Sequence, residues 1–459
     1  MSAVVSTRGQ HVVANGPVSP LAVGALQRPF AFGGRGGVVL ADFLAEVRGV
    51  AALLPDRQYA VNLCEDRYRF LVAFAAAAVR GQVTLLPPSR TRAAIDDVRA
   101  NHPDSYCLGD ADVCGCEDIA PLPHYLRLPD ILPRANGDMP RVADAAVVAI
   151  GYTSGSTGAP KANPKTWGSF STSTGQNLAA LTGLLPADGI AHVVATVPPQ
   201  HMYGMEMSVL LPLVGGVAVH DARPFFPVDV AAALAAAPVP PLLVTTPVHL
   251  RAMVESGVSL PPLAGIVAST APLPAALARA AEAAFGCEVR EVFGSTETCI
   301  LARRRTACED AWTLLPGIEL QPQPDGTQVH AAHLDAHVAL ADIVELLPDG
   351  RFHLCGRQSD LLEIAGKRAS LGDLTHRLLA IPGVSDAALV QLDPDACGVR
   401  RLAAVVVAPG LDEPAVREAL RRAVDPVFLP RPLRVVPSLP RNETGKLPRH
   451  KLLELLSTP

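Results

Sequence analysis

Apolar positions along this chain come in short runs of two kinds. Tyr68 to Val79 has helical spacing, and Gln82 to Leu86 is a compact apolar run that Pro87-Pro88 ends. Ala145 to Ile150 predicts another strand. Further strand-like runs cover Ala191 to Val197, Gly216 to Val219, Leu242 to Thr246, Gly265 to Ser269 and Glu288 to Val292, with helical stretches between many of them, such as Ala275 to Phe285. Strand and helix in alternation predict an α/β sheet with helices packed on its faces. The longest apolar stretch, Met207 to Val219, is interrupted by Pro212 and Gly215-Gly216; it is too short to span a bilayer and predicts buried core.

The texture changes near Asp342. Ile343 to Leu347, the turn Pro348-Asp349-Gly350, and Arg351 to Leu354 predict a β-hairpin. Beyond Gly356-Arg357, Leu371, Leu374 and Leu378 give one helical face. Ala387 to Leu392 and Leu402 to Ala408 read as strands, and Glu413 to Ala423 as a helix. The pattern predicts a large N-terminal α/β domain of mixed sheets packed by helices, residues 1–357, and a small C-terminal α+β domain, residues 358–459.

Composition excludes several classes. Hydrophobic residues make up 49% of 459 and charged residues 18%, which supplies real cores and argues against a disordered chain. The formal net charge of -5 gives no global pull toward nucleic acid or an anionic membrane, and no basic patch interleaved with aromatics appears. Neither nucleic acid nor membrane is expected as a partner. The nine cysteines are scattered; Cys114 and Cys116 form the one close pair, without a second pair at zinc spacing. That usage fits a reducing compartment, and Met1 to Val13 lacks a signal-peptide core, so a cytoplasmic location is expected.

The segment richest in chemistry is Tyr152-Thr153-Ser154-Gly155-Ser156-Thr157-Gly158-Ala159-Pro160-Lys161. Gly155 and Gly158 let backbone N–H groups approach an anion closely. The hydroxyls of Thr153, Ser154, Ser156 and Thr157 add donors and Lys161 a positive charge, a set suited to a polyphosphate. The spacing is not that of a Walker A loop. The composition also suits a flexible linker, but the preceding strand and the Pro-Lys that follows favour the phosphate reading. The segment resembles the signature loop of the adenylate-forming superfamily: acyl- and aryl-CoA ligases, peptide-synthetase adenylation domains and luciferases.

Four more motifs stand in that family's order. Phe293-Gly294-Ser295-Thr296-Glu297 resembles its Tyr-Gly-x-Thr-Glu motif. The resemblance implies Thr296 at the ATP α-phosphate, Glu297 on Mg²⁺ and Phe293 on adenine, and one carboxylate among phosphate oxygens suits that ion. Asp342 stands where the family has a carboxylate for both ribose hydroxyls. Gly356-Arg357-Gln358-Ser359-Asp360 resembles the interdomain hinge, with Arg357 at ribose or phosphate and Ser359 at the pivot. Pro440 to Arg449 resembles the terminal motif, with Lys446 as catalytic lysine. Ala341, Ala162 and Lys165 depart from the family, which usually has Gly, Gly and His in these places.

The resemblance implies ATP and Mg²⁺ as cofactors and acyl-adenylate formation with release of pyrophosphate, followed by transfer to a thiol after the small domain turns as a lid. Its acid pocket would be lined by His201, Tyr203 and Gly204 and by the small-residue turn Ser269-Thr270-Ala271-Pro272, with Gly294 beside them; Thr270 to Pro272 would also border the adenine. No Asp lies between His201 and Leu213, unlike the family's amino-acid-activating domains. Gly366 to Leu371 is more similar to stand-alone ligases of aryl-polyene pigment pathways, which implies a 3- or 4-hydroxybenzoate substrate and an acyl carrier protein as acceptor. Residues 399–459 carry 11 basic against 6 acidic side chains, which suits an acidic carrier or the CoA phosphates, or is a solvated face. CoA as acceptor, and an adenylation fold that binds without catalysing, are the alternatives. Oligomeric state is not encoded in any motif.

Overall fold

The structure is a computed structural model and describes residues 16–111, 122, 124–154, 160–324, 326–357, 361–364, 367–392, 401–441 and 447–457. Its contacts divide into two units, Met1–Arg28 with Val39–Thr172, and Pro29–Val38 with Ser173–Pro459. The expected cut after residue 357 falls inside the second unit.

The first unit is built on a six-stranded sheet in the order Pro160–Thr166, Val147–Ser154, Val83–Leu86, Tyr59–Asn62, Ser105–Gly109, Tyr125–Arg127. All neighbours are parallel except the first pair, which is an antiparallel hairpin. Helix Arg67–Val79 lies where its spacing predicts it. It starts at Asp66, whose side chain accepts from the Arg69 N–H and satisfies one of the donors that a helix start leaves open.

A nine-stranded sheet organises the second unit. Its order is Thr313–Leu314, Cys299–Arg304, Val289–Ser295, Gly265–Ala268, Leu242–Thr245, His192–Ala195, Ala218–His220, Pro29–Phe32, then a short edge strand. The run from Val289–Ser295 to Pro29–Phe32 is parallel; the Cys299 and Thr313 strands return antiparallel. The sequences LLVT and GIVA are buried throughout, as a parallel sheet covered on both faces requires. Helices Pro247–Ser256 and Ala275–Phe285 bury Leu250, Met253, Leu277 and Ala281 against Val194, Leu243 and Ile266. The Met207 to Val219 stretch is core, as expected. It is helical as far as Val214, with a π-turn at Glu206–Leu210 followed by Leu211–Val214, and then enters strand Ala218–His220.

Residues 318–340 form a three-stranded antiparallel sheet that the apolar pattern does not announce. The hairpin beyond it is present as Asp342–Leu346 with Phe352–Arg357. The last hundred residues carry a sheet of Asp386–Gln391, Leu402–Val407 and Leu433–Val435. Leu374 and Leu378 of helix Leu371–Leu379 and Val416 and Leu420 of helix Glu413–Arg421 share one core with this sheet. Helix Arg449–Ser457 packs in a second core with Val390, Ala403 and Val405. These are the elements of a small α+β domain.

Leu378 is fully buried in the first of these cores. Leu378→Ala is expected to cost about 2–5 kcal/mol through lost burial and a residual cavity, read from urea unfolding followed by circular dichroism. A change below about 1 kcal/mol would contradict this packing.

Candidate functional site

In an open parallel sheet, ligands are met outside the carboxyl ends of the strands. In the second unit that edge carries the loop after His192–Ala195, the turn 269–272 after Gly265–Ala268, and the turn 296–298 after Val289–Ser295. These hold three of the motifs singled out from the sequence. Hydrogen bonds tie together the elements that bear them. Tyr203 Oη donates to the Val267 carbonyl at 2.9 Å, Ser269 Oγ donates to the Val292 carbonyl at 2.9 Å, and the Ile300 N–H donates to Glu206 Oε1 at 3.1 Å. Asn177 Nδ2 donates to the same Glu206 oxygen at 3.0 Å, so the acid is buried with partners.

Glycine is needed at two of the predicted positions because other backbone passes close by. A Cβ at Gly204 would collide with the Pro198 carbonyl oxygen, and one at Gly294 with the Cys299 carbonyl oxygen. At Gly294 the hairpin register also shifts. Phe293, Gly294 and Ser295 are strand residues, so the predicted strand ends three residues later than its apolar run; pairing with Cys299–Arg304 extends it. Phe293 lies 5.6 Å from the Trp312 ring and 6.2 Å from that of Phe352.

The turn bearing Thr296 and Glu297 is closed by its own ends. Ser295 and Thr298 exchange backbone-to-hydroxyl bonds, each 3.2 Å, and their hydroxyls lie 3.0 Å apart. His333 Nε2 reaches the Thr298 carbonyl at 2.7 Å. Thr296 and Glu297 are half-buried on this turn. Among the described residues no group of three or more His, Cys, Asp or Glu converges as a metal cage. Glu297 therefore fits a hard cation in the one way open to a single carboxylate, with phosphate oxygens and water completing the shell.

Thr270 stands apart. Its φ is 82°, a left-handed conformation that a β-branched residue rarely takes, at a cost of about 1–3 kcal/mol. Its Oγ1 is buried without a partner among the described residues. Tyr203 and Ser269 already spend their protons on carbonyls, and burial raises the Tyr203 phenol well above its ordinary pKa. Of the three hydroxyls expected in the acid pocket, those of Tyr203, Ser269 and Thr270, the Thr270 hydroxyl is the one buried without a partner among the described residues. No sequence signal marks its backbone.

In the first unit the two ends of the phosphate segment lie on a pair of antiparallel strands, Val147–Ser154 and Pro160–Thr166. Strand Val147–Ser154 runs four residues beyond the predicted end at Ile150, so Thr153 and Ser154 are strand positions rather than loop. Thr153 pairs with Lys161 and Ser154 with Pro160, because the second strand supplies backbone partners. Gly155, Ser156, Thr157 and Gly158 lie outside the described residues, and Lys161 is exposed. The strand is anchored by Tyr152, whose buried hydroxyl lies 2.5 Å from His102 Nε2. Burial lowers the His102 pKa and raises that of Tyr152, which favours the neutral form of both partners.

Asp342 and Arg357 are paired opposite one another at the end of their hairpin, and Thr327 Oγ1 donates to the Asp342 carbonyl at 2.6 Å. Ser359 and Lys446 lie outside the described residues. The chain on both sides of Lys446 is fastened to strand Asp386–Gln391. Arg441 makes a bidentate pair with Asp386 at 2.7 and 2.9 Å, and Arg449 donates to the Gln391 carbonyl at 2.8 Å.

The family model for AMP-binding enzymes matches residues 57–342, and that for the AMP-binding enzyme C-terminal domain matches residues 376–446. A 4-coumarate–CoA ligase of Rhodobacter capsulatus is 34% identical over 65% of this chain and 74% of its own length. Enterobactin synthase component E of Escherichia coli is 26% identical over 66% and 64%. An amide bond synthetase from Marinactinospora thermotolerans superposes with a TM-score of 0.78 at 19% identity, over 93% of this chain and 96% of its own. An o-succinylbenzoate CoA synthetase from Bacillus subtilis gives 0.76 at 18%, over 91% and 94%. The fold is therefore that of the adenylate-forming enzymes: a large α/β domain and a smaller C-terminal domain. The chain belongs to the AMP-binding enzyme family, and its class within it is that of the ATP-dependent acid–thiol ligases.

Thr270→Gly keeps the turn and removes both the strain and the orphaned hydroxyl. The ligand-free protein is expected to gain up to about 1–2 kcal/mol in a denaturant titration. A clear loss of stability would contradict the strain.

Proposed function

We propose that this enzyme activates an aromatic carboxylic acid of the 3- or 4-hydroxybenzoate type with ATP, and passes the acyl group from the adenylate to the phosphopantetheine thiol of a carrier protein. The supporting observation is that the motifs 201–204, 269–272 and 293–297 stand at the carboxyl edge of the parallel part of one sheet, on neighbouring elements that hydrogen bonds join.

In this reading Thr153 to Gly158 and Lys161 cradle the phosphates. Thr296 meets the α-phosphate, Phe293 and the turn Thr270-Ala271-Pro272 border adenine, and Asp342 and Arg357 hold ribose. Glu297 would hold Mg²⁺, which would offset charge on the phosphates when bound. The acid lies among His201, Tyr203, Gly204, Ser269, Thr270 and Gly294, and the Thr270 hydroxyl is open to the nucleotide on the adenine side of the same turn. A carboxylate and a triphosphate repel, so donors and cations fixed in advance lower the barrier more than any acid–base group could. Lys446 adds the last positive charge from the C-terminal domain, residues 358–459, acting as a lid about Ser359 over the core, residues 1–357. Pyrophosphate leaves, and the adenylate is held for attack by the thiol.

CoA as acceptor is the second reading, favoured by the 34% identical relative being a CoA ligase. The basic surplus near the chain end does not decide between them. Arg421 and Arg422 both approach Glu418, at 3.3 and 3.7 Å, so part of that face is neutralised. Among the described residues no helix is long and apolar enough to cross a membrane. A cytoplasmic location and the pigment-pathway assignment belong to this proposal.

The test is pyrophosphate release over a panel of aromatic and fatty acids, with CoA and an acidic carrier protein as competing acceptors. Release with hydroxybenzoates and transfer to the carrier is expected. Transfer to CoA alone favours the second reading, and no release with any acid refutes both. Lys446→Ala is expected to abolish release while leaving the circular dichroism spectrum unchanged; wild-type rates would refute its role.

A further inference from the structure

We infer that Glu291 is a positioning residue for nucleotide binding: it holds the turn 269–273 so that Thr270 is kept in its left-handed conformation and its hydroxyl stays presented to the ligand. The inference rests on the proposed ATP site, and nothing in the sequence motifs points to Glu291.

The carboxylate is buried, and its two oxygens do different jobs. Oε1 accepts from the Leu273 N–H at 3.0 Å. Oε2 accepts from Arg304 Nε at 2.8 Å and Nη2 at 2.7 Å, and from Thr306 Oγ1 at 2.6 Å. Thus one oxygen holds the turn and the other is locked to the neighbouring strand. The Arg304 guanidinium in addition lies 4.3 Å over the Trp312 ring, beside Phe293.

The turn has a second anchor on the same strand, the Ser269 Oγ bond to the Val292 carbonyl. Thr270 sits between the two anchors. A residue at φ 82° persists when the surrounding structure over-determines it, and the anchors at Ser269 and Leu273 do that. Releasing either should let the turn relax toward ordinary φ, carrying the Thr270 hydroxyl away.

Glutamine separates the two jobs. Its single carbonyl oxygen can serve Arg304 and Thr306, or Leu273, but its NH₂ group accepts nothing. With the oxygen toward the guanidinium, the Leu273 N–H faces a donor, so Glu291→Gln frees the turn while keeping the strand side. ATP affinity measured by calorimetry without acid is the readout, so failure of every acid in the activity panel would leave this test intact. Glu291→Gln is expected to weaken ATP binding at least tenfold. Ser269→Ala, which cuts the other anchor without touching a buried charge, is expected to weaken it in the same direction. Arg305→Gln, which removes the Arg305–Glu282 ion pair on the outer surface, is the control for a loss of stability alone and should change ATP affinity less than twofold. In the double variant Glu291→Gln, Ser269→Ala the two effects should not multiply, because both act through one turn. ATP affinity within twofold of wild type in Glu291→Gln and Ser269→Ala, or full multiplication in the double variant, would overturn the assignment.

Discussion

A charge buried in the sheet must be fully bonded, and the edge of this sheet is arranged around one. Removing a partner from a buried pair typically costs about 3–5 kcal/mol, because the remaining charge is stranded out of water. Glu291 and Arg304 meet that constraint on adjacent antiparallel strands, and the leftover bonding capacity of each is spent locally. The carboxylate takes a turn N–H and a threonine hydroxyl, and the guanidinium covers an indole. One electrostatic requirement thereby fixes the turn 269–273, the strand that carries Phe293, and the aromatic group beside it.

The rest of the edge follows from the same economy of polar groups. Tyr203 and Ser269 each hand a proton to a backbone carbonyl of the next strand, and Glu206 takes a backbone N–H from the strand after the Glu297 turn. His333 secures that turn from the loop between strands Gly326–Ala331 and Val338–Leu340. What remains unsatisfied is correspondingly informative. Thr270 combines backbone strain with an orphaned hydroxyl, the combination that packing alone would remove and that a ligand would complete.

Much of this was legible in the sequence, for identifiable reasons. Strands buried on both faces show as continuous apolar runs, so Leu242–Thr245 and Gly265–Ala268 were found to within a residue. Helix Ala275–Phe285 was found at its full length because Pro274 and Gly286 bound it. Glycines that permit close backbone approach, Gly204 and Gly294, stand inside motifs that the resemblance to the adenylate-forming enzymes singles out. Other features depend on tertiary partners. Thr153 and Ser154 become strand only because Pro160–Thr166 pairs back on them. The polar, half-exposed strands between 318 and 340 carry too few apolar positions to show a period. Glu291 reads as an ordinary acid on a strand until Leu273, Arg304 and Thr306 are brought to it, and the backbone of Thr270 has no counterpart in residue type at all.

The central claim is that the carboxyl edge bearing Thr270, Phe293 and Glu297 is where the activated acid is held. The most direct measurement is an experimental structure of the enzyme bound to a non-hydrolysable acyl-adenylate analogue. The account predicts the adenine beside Phe293, the phosphate surrogate at Thr296 and a hydrogen bond from the ligand to Thr270 Oγ1. A ligand held elsewhere, with Thr270 still unpartnered, would contradict it.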